Sequence, residues 1–314
     1  MSIAQPLSFS IVIPCYNYAH LVERAVHSAI SQSGDDFEVI VINDGSTDDS
    51  RPVLQRCCDR FGARLRVIDQ ANAGLSAVRN RGAQEARGDY LIYLDADDEL
   101  LPDALAQLRV ALADGSRPAM LIGGHLSIHA NGREKLHEQP ALAASRASNF
   151  LRYLRKEMAI SNGGVAMRRD VVLVTPYDIS LRHGEDIPVF ALILATHDCR
   201  AINVPLVKIY KHDDSMRHNV ATAQNAKLRL PAVLFDNPAL PSSLQRFRRE
   251  FFARSALSLF RSCYRAGEYA DAVRVWRLAL QSSPQLALQP KILIKILVAQ
   301  WLALTARRSS VGSA

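Results

Sequence analysis

Ser8-Phe9-Ser10-Ile11-Val12-Ile13-Pro14 is a short apolar run closed by proline, and Phe37-Glu38-Val39-Ile40-Val41-Ile42 repeats the pattern further on. Short runs rich in β-branched residues and bounded by turn formers read as buried strands. Between the two runs, residues 19–33 place Val22, Ala25, Val26, Ala29 and Ile30 on one face at helical spacing. Working outward, the same alternation continues. A helix is predicted over 49–61, a strand at Leu65-Arg66-Val67-Ile68 and a helix over 74–86. A strand follows at Tyr90-Leu91-Ile92-Tyr93-Leu94, then a helix over 101–112 opened by Pro102, a good first-turn residue. Strand and helix alternate four times within residues 8–112, which predicts an α/β fold with a mostly parallel sheet flanked by helices.

Ligands of such sheets bind outside the carboxyl ends of the strands. The polar clusters fall there: Cys15-Tyr16-Asn17, Asn43-Asp44-Gly45-Ser46, Gln70-Ala71-Asn72-Ala73-Gly74 and Asp95-Ala96-Asp97-Asp98. Four polar loops converging on one rim point to a binding site.

Beyond Ala119 the pattern is mixed, with strands expected near 120–130, 164–167 and 200–210 and a helix starting near Asp186. From about residue 221 the periodicity is helical. Residues 247–288 resemble one helix–turn–helix unit of tetratricopeptide type, which cannot stand alone and is expected to pack on the main domain. Pro290 then opens an apolar segment over 291–304. The expected organisation is a catalytic domain over 1–215 and a helical, basic region over 216–314. Charge supports the division: residues 1–215 carry 23 Lys/Arg against 27 Asp/Glu, and residues 216–314 carry 15 against 4. A basic appendage on a slightly acidic body suggests an anionic partner, such as membrane lipid or acidic glycan. Nucleic acid is disfavoured, because no aromatic-interleaved basic motif is present.

Five cysteines at irregular spacing, with no C-x-x-C, argue against a disulfide framework or a zinc site. Met1 to Gln5 lack the features of a signal peptide, so the cytoplasm is the expected location. The segment over 291–304 is short for a bilayer span and is interrupted by Lys295 and Gln300. It reads either as a core-packing helix or as an interfacial helix, with Trp301 at the headgroup boundary and Lys291, Lys295, Arg307 and Arg308 toward anionic lipid.

Asp95-Ala96-Asp97 delivers two carboxylates from a strand end to the rim. Oxygen ligands suit hard cations such as Mg²⁺ and Mn²⁺, and an ion there could bridge a diphosphate and neutralise a leaving group. The plain alternative is a solvated acidic loop that caps the next helix. A calcium loop of EF-hand type is disfavoured, since Leu100 stands where glycine is needed. Asp44 could accept from a nucleobase edge, framed by Pro14 and Tyr16, or Asp44-Gly45 could be only a turn. Ser46-Thr47-Asp48-Asp49 reads as the cap of the second helix. Arg79 could reach a phosphate, or be a surface arginine. Glu185-Asp186 follows Gly184 at a helix start, where a carboxylate is held in the charged form that a general base requires, or is only a cap. His212 could be a third metal ligand or a turn histidine.

These stretches together resemble the family 2 glycosyltransferases of GT-A fold, in their inverting, non-processive bacterial form. The likeness is carried by residues 10–17, 41–48, 72–80, 88–98 and 184–186, and runs from about residue 8 to 212. The resemblance implies transfer of a sugar from a nucleotide-diphosphate-sugar donor to a carbohydrate or lipid-linked hydroxyl, in bacterial envelope polysaccharide assembly. It places Pro14, Tyr16, Asp44 and Asn72 at the donor nucleotide and Arg79 at its phosphate. Asp95 and Asp97 match the donor and metal carboxylates, and His212 a metal histidine of some relatives. Asp186 matches the catalytic base, with Glu185 as neighbour, and Asn162, Gly163 and Gly164 line the acceptor side. The Q-x-x-R-W motif and membrane spans of processive polymer synthases have no counterpart in the sequence. A peripheral position on the inner face of the cytoplasmic membrane would then bring the enzyme to a lipid-linked acceptor.

Three rivals share parts of this pattern. A sugar nucleotidyltransferase needs a glycine-rich, basic loop after the first strand, and Cys15-Tyr16-Asn17-Tyr18 is not one. A nicotinamide dehydrogenase needs G-x-G-x-x-G at that turn, which is also missing. A non-catalytic nucleotide-sugar-binding scaffold would dispense with Asp95, Asp97 and Asp186, all of which are present.

Overall fold

The computed structural model describes residues 7–211 and 220–311. The chain divides into two compact units, one of Met1–Ser180 with Val189–Asp213 and one of Leu181–Pro188 with Asp214–Ala314.

The first unit follows the alternation read from the sequence. The apolar runs form β1 (Phe9–Cys15), β2 (Phe37–Asp44), β3 (Leu65–Gln70) and β4 (Tyr90–Tyr93), and these four pair in parallel. Helices α1 (Val22–Ile30), α2 (Ser50–Phe61) and α3 (Leu75–Glu85) connect them. Parallel strands covered by helices are buried on both faces, and every residue of β1 and β4 is buried. Val22, Ala25, Val26, Ala29 and Ile30 of α1 are all buried, as their spacing requires. Each buried Val or Ile side chain among them contributes roughly 1.5–3 kcal/mol.

The second half of the sheet is not parallel throughout. A short β5 (Glu99–Leu100) precedes α4 (Ala104–Leu112), β6 (Met120–His129), β7 (Glu134–His137) and α5 (Arg146–Leu154). Then come β8 (Val165–Arg168), α6 (Arg169–Val174), α7 (Asp186–Thr196) and β9 (Cys199–Lys211). Strand order is β3-β2-β1-β4-β8-β6-β9-β5, with β7 on β6. Strand β8 runs antiparallel to both β4 and β6, so the sheet is mixed.

Helix α4 starts later than Pro102 predicts. Leu101 donates its N–H to Leu206 O at 2.8 Å, which ties residue 101 to the sheet, and Asp103 adopts a left-handed φ of 64°. The helix therefore begins at Ala104.

The second unit contains α8 (Val220–Phe235), α9 (Arg248–Arg265), α10 (Tyr269–Ser282), α11 (Pro284–Ala287) and α12 (Pro290–Val311). Helices α9 and α10 form the predicted hairpin, and Pro284 opens α11. Phe260, Cys263, Ala272, Val275 and Ala279 make its core. Helix α12 joins that core through Ile292 and Ile296, with Ala299 buried alongside them. On its opposite side Ile294, Leu297, Val298 and Trp301 are exposed. Among the described residues no helix is long and apolar enough to cross a membrane.

Candidate active site

The chain runs β1, β2, β3 to one side and then returns to place β4 on the other side of β1. The order reverses between β1 and β4, and this is where open α/β sheets bind ligands. The loops that leave these two strands carry Tyr16-Asn17 and Asp95-Ala96-Asp97.

The first two loops are knitted together. Asn17 sits at φ 59°. Its N–H donates to Ser46 Oγ at 3.0 Å, and its Oδ1 accepts from Thr47 N at 2.8 Å. Asp48 accepts from Ala19 N and Ser50 N, both at 3.0 Å. The stretch 46–49 is thus more than a helix cap. Asp49 stands at the N-cap of α2 with no side-chain capping bond, while its neighbours bind the β1 loop. Pro14 is buried in β1, and Tyr16 is 45 % exposed at the rim.

Asp44 is buried at the end of β2. Its carboxylate accepts from Gln70 Nε2 at 2.6 Å, Ala73 N at 2.9 Å and Gly74 N at 2.8 Å. Asn72 Nδ2 donates to Asp44 O at 3.0 Å. Asp44 therefore moulds the loop after β3, which brings Asn72 to the same rim. Gly45 must be glycine: its φ is 70°, and a Cβ there would lie 2.8 Å from Asn72 N.

Arg79 is not the surface arginine that spacing alone suggests. It is 1 % exposed and pairs with Asp95, Nη2 to Oδ1, at 2.9 Å. Tyr93 and Tyr177 wall it in. The Tyr177 ring lies 5.4 Å from the guanidinium carbon, and the Tyr93 hydroxyl donates to Arg79 O at 2.8 Å.

The acidic turn gathers charge. Burial pushes the Asp98 carboxyl up to about 8, with Asp95 and Asp97 adding repulsion. Burial likewise pushes the Tyr18 phenol up to about 12, again with Asp97, Asp95 and Asp98 contributing. Hard oxygen donors crowded in this way suit a divalent cation. Among the described residues no three His, Cys, Asp or Glu side chains converge as a complete metal cage. Two carboxylates completed by diphosphate oxygens and water is the usual arrangement for a magnesium-type ion on a nucleotide. Asp95 and Asp97 fit that pattern. His212 lies outside the described residues.

Asn162, Gly163 and Gly164 form the loop before β8. Gly163, at φ 73°, would bring a Cβ within 2.7 Å of Val207 and 3.5 Å of Leu94, the residue before Asp95. The loop thus lies against the strand end that carries the acids. Among the described residues, Ser161 Oγ and Asn162 Oδ1 are buried with no hydrogen-bond partner.

Glu185 and Asp186 belong to the second unit. Glu185 is buried, and Asp186 is the first residue of α7. Sequence reading missed Arg24, which contacts the acidic turn from α1. The available signal was a polar row, Arg24, Ser28 and Gln32, at four-residue spacing beside the apolar face.

The profile of the family described as Glycosyl transferase family 2 matches residues 10–173. An uncharacterized glycosyltransferase of Nostoc sp. is 31 % identical over 171 residues, covering 53 % of this chain and 52 % of its own length. The chain thus spans about half the length of that curated relative. Among solved structures, S. aureus TarS 1–349 superposes with a TM-score of 0.64 at 16 % identity, covering 96 % of this chain and 92 % of that one. TarS 1–349 is also known in complex with UDP-GlcNAc. The mannosyltransferase PcManGT from Pyrobaculum calidifontis, in complex with GDP-Man and Mn²⁺, superposes with a TM-score of 0.58 at 17 % identity. It covers 97 % of this chain and 87 % of its own.

Proposed function

The chain belongs to glycosyl transferase family 2, and on that premise we propose that it is an inverting glycosyltransferase. It moves a sugar from a nucleotide-diphosphate-sugar donor to a hydroxyl of a carbohydrate or lipid-linked acceptor, in bacterial envelope polysaccharide assembly. The observation that carries this reading is the Asp95–Asp97 turn beside the buried Arg79 at the β1/β4 reversal. The nucleotide sugars bound by the structural neighbours support it.

In this reading the nucleoside lies against Pro14, Tyr16, Asp44 and Asn72. Arg79, held by Asp95, gives the diphosphate side of the site a fixed positive charge. Asp95 and Asp97, with His212, would hold Mn²⁺ or Mg²⁺, which when bound neutralises charge on the diphosphate leaving group. Asp186 serves as general base and Glu185 as its neighbour. Asp186 stands at the first position of α7, the end of a helix where an acidic side chain is favoured. It takes the proton of the acceptor hydroxyl. That oxygen bonds to the anomeric carbon from the face opposite the phosphate, the carbon–phosphate oxygen bond breaks, and the nucleoside diphosphate leaves. Asn162 and the two glycines after it line the acceptor side.

The same reading places the protein in the cytoplasm, peripherally on the inner face of the cytoplasmic membrane. Support comes from the exposed apolar side of α12 and the basic surplus over 216–314. The full chain should then sediment with anionic vesicles at low salt, and a chain ending at Gln289 should not. Equal partitioning of the two removes the membrane contact.

A thermal-shift series with nucleoside diphosphates, with and without Mn²⁺, followed by a turnover assay, tests the central claim. A ligand at a hundred times its Kd should add about 2.7 kcal/mol of stability. If no nucleoside diphosphate raises Tm, the donor site is wrong. Binding without transfer or donor hydrolysis would favour the non-catalytic scaffold.

A further inference from the structure

Arg24, Ser28 and Gln32 follow one another at four-residue spacing along and just beyond α1. In a helix this spacing keeps side chains on one face. All three grip the main chain that follows Asp95. Arg24 Nη2 donates to Asp97 O at 2.5 Å. Ser28 Oγ accepts from Leu100 N at 3.1 Å. Gln32 Nε2 donates to Leu101 O at 3.0 Å, and its Oε1 accepts from Leu105 N at 3.1 Å. A single row of polar side chains thus fixes four main-chain groups between residues 97 and 105.

Arg24 does more than its two companions. Its guanidinium pairs with Glu99, Nε to Oε1, at 3.0 Å and stacks 3.8 Å above the Tyr210 ring. Tyr210 donates its hydroxyl to Glu99 Oε1 at 2.6 Å and its main-chain N–H to Asp98 Oδ1 at 3.0 Å. One planar cation therefore ties the acidic turn to the end of β9, two residues before His212. Arginine suits this task because its guanidinium donates to a carbonyl and carries charge toward a carboxylate while its flat face stacks.

We propose that Arg24 is a positioning residue for donor binding, holding the main chain of Asp97 so that its carboxylate meets the cation and diphosphate in one geometry. This rests on the reading above, in which Asp95 and Asp97 bind a metal-complexed diphosphate. Groups that orient a metal ligand change affinity by about 10–100-fold when removed. Arg24 touches neither the donor nor the ion in this proposal. Its effect passes through Asp97 O and Glu99.

The test compares wild type, Arg24→Gln and Arg24→Lys. Mn²⁺ affinity is read by electron paramagnetic resonance with UDP as the probe, and UDP affinity is read separately without metal. Arg24→Gln should weaken Mn²⁺ binding in the presence of UDP by about 10–100-fold and leave metal-free UDP affinity within about twofold. Arg24→Lys keeps the charge but loses the fork and should fall between. Hydrogen exchange at the amides of Asp98 and Leu100, with no ligand present, should quicken in Arg24→Gln. Unchanged Mn²⁺ affinity in folded Arg24→Gln overturns the proposal, and so does unchanged amide exchange. If wild type fails to bind Mn²⁺ with UDP and with every other nucleoside diphosphate, the donor reading falls, and the exchange experiment still decides whether Arg24 holds the turn.

Discussion

Arg79 and Asp95 form an ion pair in which the cation is 1 % exposed and the carboxylate 38 %. The inner partner is nearly out of reach of water and depends the more on the charge beside it. Removing one member of a buried pair costs about 3–5 kcal/mol, and a solvent-facing partner reduces that. Asp95→Ala is therefore expected to lower stability by roughly 2 kcal/mol, whereas Arg79→Met, which removes the buried charge, should cost less. Urea unfolding of the two variants measures this. The reverse order would mean that Asp95 does not hold Arg79.

Asp186→Asn keeps the size of the side chain at the start of α7 but removes the proposed base. Turnover should fall by about 10²–10⁴ with donor affinity nearly unchanged. Steady-state kinetics beside nucleotide titration separates the two quantities. Near-wild-type turnover would remove Asp186 from the chemistry.

Gly163→Ala tests the acceptor loop. Positive φ and a contact of 2.7 Å with Val207 both oppose a methyl group there. A loss of roughly 2 kcal/mol or more is expected, from left-handed strain plus overpacking. A change smaller than about 0.5 kcal/mol would place the variant among ordinary surface substitutions and refute the strain argument.

Stability should also fall in acid through Asp36. The Arg109 guanidinium, hydrogen-bonded to Asp36, holds its carboxyl below the usual value. A depressed folded value adds stability above the unfolded value of about 3.9, and that share is lost as pH drops through the folded one. Asp36→Asn should be less stable than wild type near neutrality and should show a flatter acid limb. Tm measured from about pH 6 down to pH 2.5 checks the slope. Parallel limbs would deny Asp36 this role.

The sequence reveals most where burial is two-sided. β1 and β4 announce themselves because strands covered on both faces are apolar almost throughout. β5 does not, since two residues carry no period. β7 does not either, since Glu134-Lys135-Leu136-His137 is mostly exposed and polar. In the site, Asp44, Asp95 and Asp97 are legible as acids at strand ends. The burial of Arg79 is not, because it depends on Tyr177, distant in sequence, closing over it. Arg24 escapes for a similar reason: its partners are Asp97, Glu99 and Tyr210, and a polar row beside an apolar face looks like a solvated flank.

The strand order also dictates when the site comes into being. On one side β1 pairs β2, Phe9 with Phe37, across a short connection. On the other it pairs β4, Phe9 with Tyr90, with β2 and β3 intervening in the sequence. Pairings of greater sequence separation carry the larger loop-closure cost and tend to form late. The rim between β1 and β4 has no existence before that closure. A nucleotide bound there should therefore act on the descent from the transition state, slowing the unfolding limb of a chevron while leaving the refolding limb in place. A nucleotide that accelerates refolding instead would mean that the β1–β4 seam is already shut at the barrier.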